Sequence, residues 1–140
     1  MDKKVLVING PNINMLGRRE KDLYGKEDYN YLCEIINKKA KELGYLVEMY
    51  QSNSEGSIIT KIQNSLDEFD DIIINPAAYT HTSIGILDAL KMFKGRIIEV
   101  HISDISEREE FRKLSYVSLV AYKRIIGQGL DGYLMALESL

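Results

Sequence analysis

Asp71-Ile-Ile-Ile-Asn75, closed at once by Pro76, is the stretch whose reading decides the fold. An apolar, β-branched run with no alternating polar position is what a strand covered on both faces requires. Working outward, the same kind of run recurs at Lys4 to Asn9, Tyr45 to Tyr50, Arg96 to Ile102 and, with less clear bounds, Val117 to Ile126. Helix-period segments lie between them. Asp28 is placed to cap Tyr29 to Leu43, where Leu32, Ile35, Ile36, Ala40 and Leu43 share one face and Gly44 is the stop signal. Ile58, Ile59, Ile62 and Leu66 form a second stripe, and Ile84, Leu87, Leu90 and Met92-Phe93 a third. Ser106 to Glu109 reads as a capping box opening a short fourth helix, and Leu130 to Leu140 as a terminal fifth. Strand alternating with helix across short loops predicts an α/β fold, a flavodoxin-like three-layer sandwich with a five-stranded parallel sheet and right-handed crossovers. Five units are too few for a (β/α)₈ barrel unless a partner completes it.

The chain's 140 residues favour one domain, residues 1–140. Hydrophobic residues at 45% and charged residues at 28% exclude a disordered or fibrous chain. Lys plus Arg number 18 against 21 Asp plus Glu, so there is no overall electrostatic drive towards nucleic acid or anionic membrane. The single Cys33 belongs to no disulfide or CxxC pattern, reads as a small buried apolar residue and fits a reducing, cytoplasmic setting. Val5 to Ile8 is far too short an apolar run to span a membrane or serve as a signal segment.

In an open parallel sheet, ligands bind beyond the carboxyl ends of the strands. Those positions are unusually polar here. After the first strand come Asn9-Gly-Pro-Asn12-Ile-Asn14, Arg18-Arg19 and Tyr24-Gly25; after the second, Gln51-Ser-Asn53-Ser-Glu-Gly56. The third runs into Asn75-Pro-Ala-Ala-Tyr79-Thr-His81-Thr-Ser83, and the fourth ends Glu99-Val-His101-Ile-Ser103. Both histidines of the chain therefore stand at strand ends. Asn9, Gly10, Asn14 and Asn53 suit turns and caps as well as a pocket. Arg18 and Arg19 suit a solvated loop as well as a site. Glu99 and His101, two apart on a strand, share a face, so the carboxylate can orient or charge the imidazole. Two histidines without a usable thiolate show no metal-ligand spacing.

Gly127-Gln-Gly129-Leu-Asp-Gly132 matches a dinucleotide fingerprint by pattern, but that motif belongs after the first strand of a βαβ unit with an acidic residue about 20 positions further on. These glycines are read as turn and close-packing positions.

Taken together, the loops resemble type II 3-dehydroquinate dehydratases, the small dehydroquinases of the shikimate route, over nearly the whole chain. The resemblance is carried by Asn9-Gly-Pro-Asn-Ile-Asn-Met-Leu-Gly17, Arg19-Glu20 with Tyr24-Gly25, Gln51 to Gly56, Asn75 to Ser83, Val100-His-Ile-Ser103 and Arg108-Glu-Glu-Phe-Arg112. It departs from the family where Lys21 stands for Pro, Ser54 for His, Ala77 for Gly, Asp104 for Asn and Ser106-Glu107 for His-Ala.

The resemblance implies a single catalytic domain that reversibly dehydrates 3-dehydroquinate to 3-dehydroshikimate through an enolate, with no cofactor and no metal. Removing a weakly acidic proton alpha to a ketone and expelling hydroxide needs two proton-transfer groups and an enolate stabiliser. By resemblance, Tyr24 is the base as tyrosinate, Arg19 favours that phenolate, His101 is the general acid held by Glu99, and Asn12 positions a water at the enolate oxygen. Asn75 with the backbone amides of Ile102 and Ser103 resembles a carboxylate site. His81 and Arg112 resemble groups that hold ring hydroxyls, and Asp88 one that reaches a neighbouring subunit in a homo-oligomer, a dodecamer built from trimers. None of the 12 lysines sits at an apolar strand end suited to Schiff-base chemistry. The segment from Met15 to Lys26, poor in apolar anchors, is expected to be a lid over the substrate. Two other readings compete: a receiver-like signalling module, for which Asn9 to Asn12 and Asn75-Pro76 lack the required acidic residues, and a catalytically retired relative, against which Tyr24, Arg19 and His101 stand.

Overall fold

The computed structural model describes residues 2–18 and 27–140, so Arg19, Tyr24 and most of the expected lid lie outside the described residues. The strands are β1 (Lys4–Asn9), β2 (Leu46–Gln51), β3 (Asp71–Asn75), β4 (Arg96–His101) and β5 (Lys123–Ile126). They form a single parallel sheet in the order β2-β1-β3-β4-β5. The helices are α1 (Tyr29–Leu43), α2 (Glu55–Ser65), α3 (Ile84–Lys91) and α4 (Asp131–Glu138).

The apolar runs follow from what covers the sheet. Successive residues of β1 point to opposite faces, so Val5 and Val7 join Ile73, Ile98 and Val100 beneath Leu32, Ile36, Tyr133 and Leu137 of α1 and α4. Leu6 and Ile8 join Ile72, Ile74 and Ile97 beneath Ile58, Ile62, Ile86 and Leu90 of α2 and α3. Both faces of the central strands are dry, which makes the molecule the flavodoxin-like three-layer sandwich expected from the sequence. The edge strand β2 is only partly covered and carries Glu48 among its apolar residues.

Local chemistry fixes the helix ends. The Asp28 carboxylate accepts from the Tyr31 amide at 2.8 Å, and Gly44 closes α1 at φ +76°. Ser54 and Ser83 cap α2 and α3 by accepting from the Ser57 and Ile86 amides at 3.1 and 2.9 Å.

Three expectations need correction. The fourth helix does not form. Asp104, rather than Ser106, is the cap, accepting from both the Ser106 amide at 3.0 Å and its hydroxyl at 2.5 Å. Ile105–Glu107 and Glu110–Arg112 are separate 3₁₀ turns, of which only the first buries an apolar side chain, Ile105, so no stripe exists for a longer helix to dock. β5 begins at Lys123, and the preceding Val117–Leu119 is a 3₁₀ turn whose buried Val117 packs into the α2/α3 layer. Cys33 is half-buried on α1, where burial pushes its thiol pKa up. Among the described residues, no helix is long and apolar enough to cross a membrane.

Candidate active site

The carboxyl ends of β1, β3 and β4 open into a cleft of about 140 Å³. Asn12, Ile13, Asn75, Ala77, His81, His101, Ile102, Ser103, Arg108 and Arg112 are among its lining residues. Seven residues expected from the sequence, namely Asn12, Asn75, His81, His101, Ile102, Ser103 and Arg112, therefore meet in one place. Glu99 lies behind this wall, fully buried, and meets the cleft through its hydrogen bond with His101. Asp88 is exposed on α3 and does not line the cleft.

The cleft's floor is a crossing of two loops. A Cβ on Gly10 would stand 2.4 Å from the Pro76 carbonyl oxygen, so only glycine lets the turn after β1 pass the turn after β3. The Gly10 amide donates to the Asn75 carbonyl at 2.8 Å at this crossing. Asn12 takes a left-handed conformation at φ 71°, which asparagine tolerates better than most residues. Its amide donates to the Asn53 side-chain oxygen at 3.0 Å. Gln51 donates to that same oxygen at 3.2 Å and to the Gly10 carbonyl at 3.1 Å, so the loop after β2 braces the loop after β1.

Asn75 is held rigidly. Its side-chain oxygen accepts from the Ala77 amide at 3.1 Å and its nitrogen donates to the Tyr133 hydroxyl at 2.8 Å. That hydroxyl donates in turn to Asn9 at 2.6 Å, and all three side chains are buried. Ala77 itself has φ 52°, a conformation costly for a residue with a Cβ. The alanine that replaces the glycine of the resembled family is therefore a site of backbone strain.

His101 Nε2 lies 2.5 Å from Glu99 Oε2. Ser115 and Thr80 donate to the same oxygen at 2.6 and 3.3 Å, while Arg124 donates to Oε1 at 2.8 Å. Burial pushes the Glu99 pKa up, but the hydrogen bond and charge of His101, with Arg124 and Ser115, outweigh it and hold the carboxyl at about 2. The result is a permanent carboxylate against the imidazole.

The second histidine is built otherwise. His81 Nδ1 lies 2.7 Å from the Leu114 carbonyl oxygen, which can only accept, so Nδ1 carries the proton. Burial lowers the His81 pKa, against the Leu114 hydrogen bond and with help from the charges of His101 and Arg112. A neutral ring protonated at Nδ1 leaves Nε2 as an acceptor, suited to a ligand hydroxyl. Arg112 stands near it, its Nε donating to Glu109 at 2.7 Å and its guanidinium 5.2 Å from the Phe111 ring centre.

Sequence reasoning assigned no role to Arg108, Ser115, Arg124 or Tyr133. Arg108 was within a quoted motif, and its Nη1 donates to the Ser103 hydroxyl at 3.4 Å. Tyr133 announced itself by lying in an apolar helical stripe, where a buried phenol must find a partner. Tyr29 is no candidate base, because burial pushes its pKa up to about 12. Gly127 and Gly129 have positive φ, and Gly132 is buried where a Cβ would stand 3.4 Å from Ile125 and Val100. Those are the turn and packing roles the sequence suggested.

Comparison with known proteins gives one consistent picture. Residues 3–140 match the family described as Dehydroquinase class II. The 3-dehydroquinate dehydratase of Caldicellulosiruptor saccharolyticus is 55% identical over 139 residues, 99% of this chain and 96% of its relative. The enzyme of the same name from Lachnoclostridium phytofermentans is 53% identical, covering 98% and 95%. The crystal structure of a type II dehydroquinase from Butyrivibrio crossotus superposes with a TM-score of 0.96 at 52% identity, over 99% of this chain and 97% of that one. A 3-dehydroquinate dehydratase-like protein from Bifidobacterium longum is more distant, with a TM-score of 0.74 at 31% identity, covering 98% and 94%.

Proposed function

Because the chain belongs to the class II dehydroquinase family, we propose that its cleft carries out the reversible dehydration of 3-dehydroquinate to 3-dehydroshikimate. The observation that supports this most is the buried Glu99–His101 pair, its imidazole in a cleft whose polar side chains, Asn12, Asn75, His81, Ser103, Arg108 and Arg112, are neutral or cationic and stand among apolar ones such as Ile13 and Ile105. Such a lining suits a small polyhydroxylated acid.

In this reading Tyr24, as phenolate favoured by Arg19, takes the proton alpha to the ketone, and the electron pair moves onto the carbonyl oxygen as an enolate. Asn12 holds a water against that oxygen. His101, charged by Glu99, gives its proton to the departing hydroxyl, which leaves as water as the enolate collapses to the enone. Asn75 and the Ile102 and Ser103 amides receive the substrate carboxylate. His81 and Arg112 take ring hydroxyls, with the neutral His81 accepting through Nε2. The scheme uses no cofactor and no metal. The assignments of Tyr24 and Arg19 rest on their sequence motif alone. Asp88, exposed on α3, is assigned to a neighbour's cleft in a dodecamer of trimers, in an enzyme of the cytoplasm; a fully active monomer in sedimentation and assay at one concentration would exclude that assembly.

The deciding experiment follows enone absorbance on adding 3-dehydroquinate without metal, together with exchange of the alpha proton in deuterated buffer. Wild-type protein forms the enone and exchanges the proton. Tyr24→Phe loses both, whereas His101→Ala loses turnover and keeps exchange. Wild-type exchange in Tyr24→Phe would remove the tyrosine from the role of base.

A further inference from the structure

Glu99 has two oxygens and two different neighbours. Oε2 meets His101 at 2.5 Å, with Ser115 and Thr80 donating beside it, while Oε1 takes Arg124 Nε at 2.8 Å. Arg124 lies outside the motifs on which the sequence resemblance rests. It is the registered partner of Glu99 across the β4–β5 pair, so its side chain starts on the same face of the sheet. Its side chain is 37% exposed whereas that of Glu99 is fully buried, so a solvent-anchored cation reaches inward from an edge strand to a dry carboxylate.

We propose that Arg124 is a positioning residue that sets the proton affinity of His101 by sharing the Glu99 carboxylate. Two consequences follow from the geometry. Fixing Oε1 stops the carboxylate from rotating, which keeps Oε2 aimed at the imidazole. A guanidinium on one oxygen also neutralises part of the charge that the imidazolium would otherwise feel, so His101 gives up its proton more readily than an imidazole with Glu99 to itself. Among the described residues, the other titratable or charged groups that line the cleft with His101 are His81, whose pKa burial lowers, Arg108 and Arg112.

The chain has only two histidines, so ¹³C labelling at histidine Cε1 gives two titrating NMR signals, assigned by their loss in His101→Gln. In the intact oligomer, Arg124→Gln keeps a donor but removes the charge, and should move the His101 midpoint up by about half a unit, roughly a threefold gain in proton affinity. Arg124→Lys should stay near wild type, and the His81 midpoint should stay put in both. An unmoved His101 midpoint in Arg124→Gln overturns the proposal. So does an equal shift in Arg124→Lys, or a matching shift of His81, because either separates the effect from the charge on Glu99.

The catalytic consequence rests on His101 being the proton donor, and the alkaline limb of the kcat profile tests that separately. It should move up with the midpoint in Arg124→Gln. A moved midpoint with an unmoved limb upholds the role of Arg124 and removes His101 from the acid step.

Discussion

His101 and His81 line one cleft and differ in burial and in the partner held against the ring. One ends a central strand, is 4% exposed and has an ionised carboxylate against its ring. The other sits half-buried in the 3₁₀ turn Ala77–His81 with a neutral carbonyl against its ring. The Leu114 carbonyl fixes a neutral tautomer of His81 with Nε2 as acceptor, whereas in the proposed reaction the Glu99 carboxylate supports His101 as the proton donor. What decides between these uses is the partner on the far nitrogen.

The contrast breaks most plainly in kinetics. His101→Ala should lower kcat by about 10²–10⁴-fold with little change in KM. If instead KM rises and kcat holds, the two histidines have been given each other's roles. Acid titration of stability separates the same two regions. The His81 ring is harder to protonate folded than at its ordinary value of 6.5, so the unfolded chain gains protons first as pH falls through 6.5, and stability drops. Glu99 acts lower down: its carboxyl, at about 2 when folded against an ordinary 4.5, adds stability above pH 4.5 that is lost as pH falls towards 2. Urea melts across this range should show two declines, with His81→Asn flattening only the upper and Glu99→Gln only the lower. A single unbroken decline in both variants would mean that the two groups titrate as one.

A smaller effect is expected from His81→Ala, about tenfold in KM with kcat nearly kept, which is the scale of one lost hydrogen bond. The smallest comes from the start of the His81 turn. Ala77→Gly relieves the φ of 52° and should raise stability by about 1 kcal/mol, seen as a higher Tm in calorimetry. Because only the His81 side is relaxed, the His101 midpoint should not follow. An unchanged or lower Tm would show that the Asn75–Ala77 hydrogen bond already offsets the strain.

How much was readable in advance depended on range. β1 and β3 have the bounds their sequences suggest, because a strand buried on both faces leaves no polar position to blur its ends. Val117 misled for the converse reason: an apolar residue reports burial, and a 3₁₀ turn buries it as well as a strand. The cleft residues at the ends of β1, β3 and β4 were legible since each follows an identifiable strand. Arg124 was not, because its meaning lies in lateral register with Glu99, 25 residues away, which no local pattern encodes. Ser115, 16 residues from Glu99, was hidden for the same reason. The capping box at Ser106 failed through competition, since the neighbouring Asp104 already bonds the hydroxyl it needed.

Tyr133 ties the cleft floor to α4, the last helix of the sheet's cover. Its hydroxyl bridges Asn75 and Asn9, the latter 124 positions earlier in the chain. A nascent chain that has released β1 through β4 from the ribosome already owns Asn12, Asn75, His81 and His101, with Ile102 to Arg112 of the lining still to follow, and Asn75 and Asn9 lack the phenol between them. The carboxamide that closes the cleft floor is therefore locked only when α4 emerges and docks. Order at the cleft floor thus belongs to α4 as much as to the sheet it rests on.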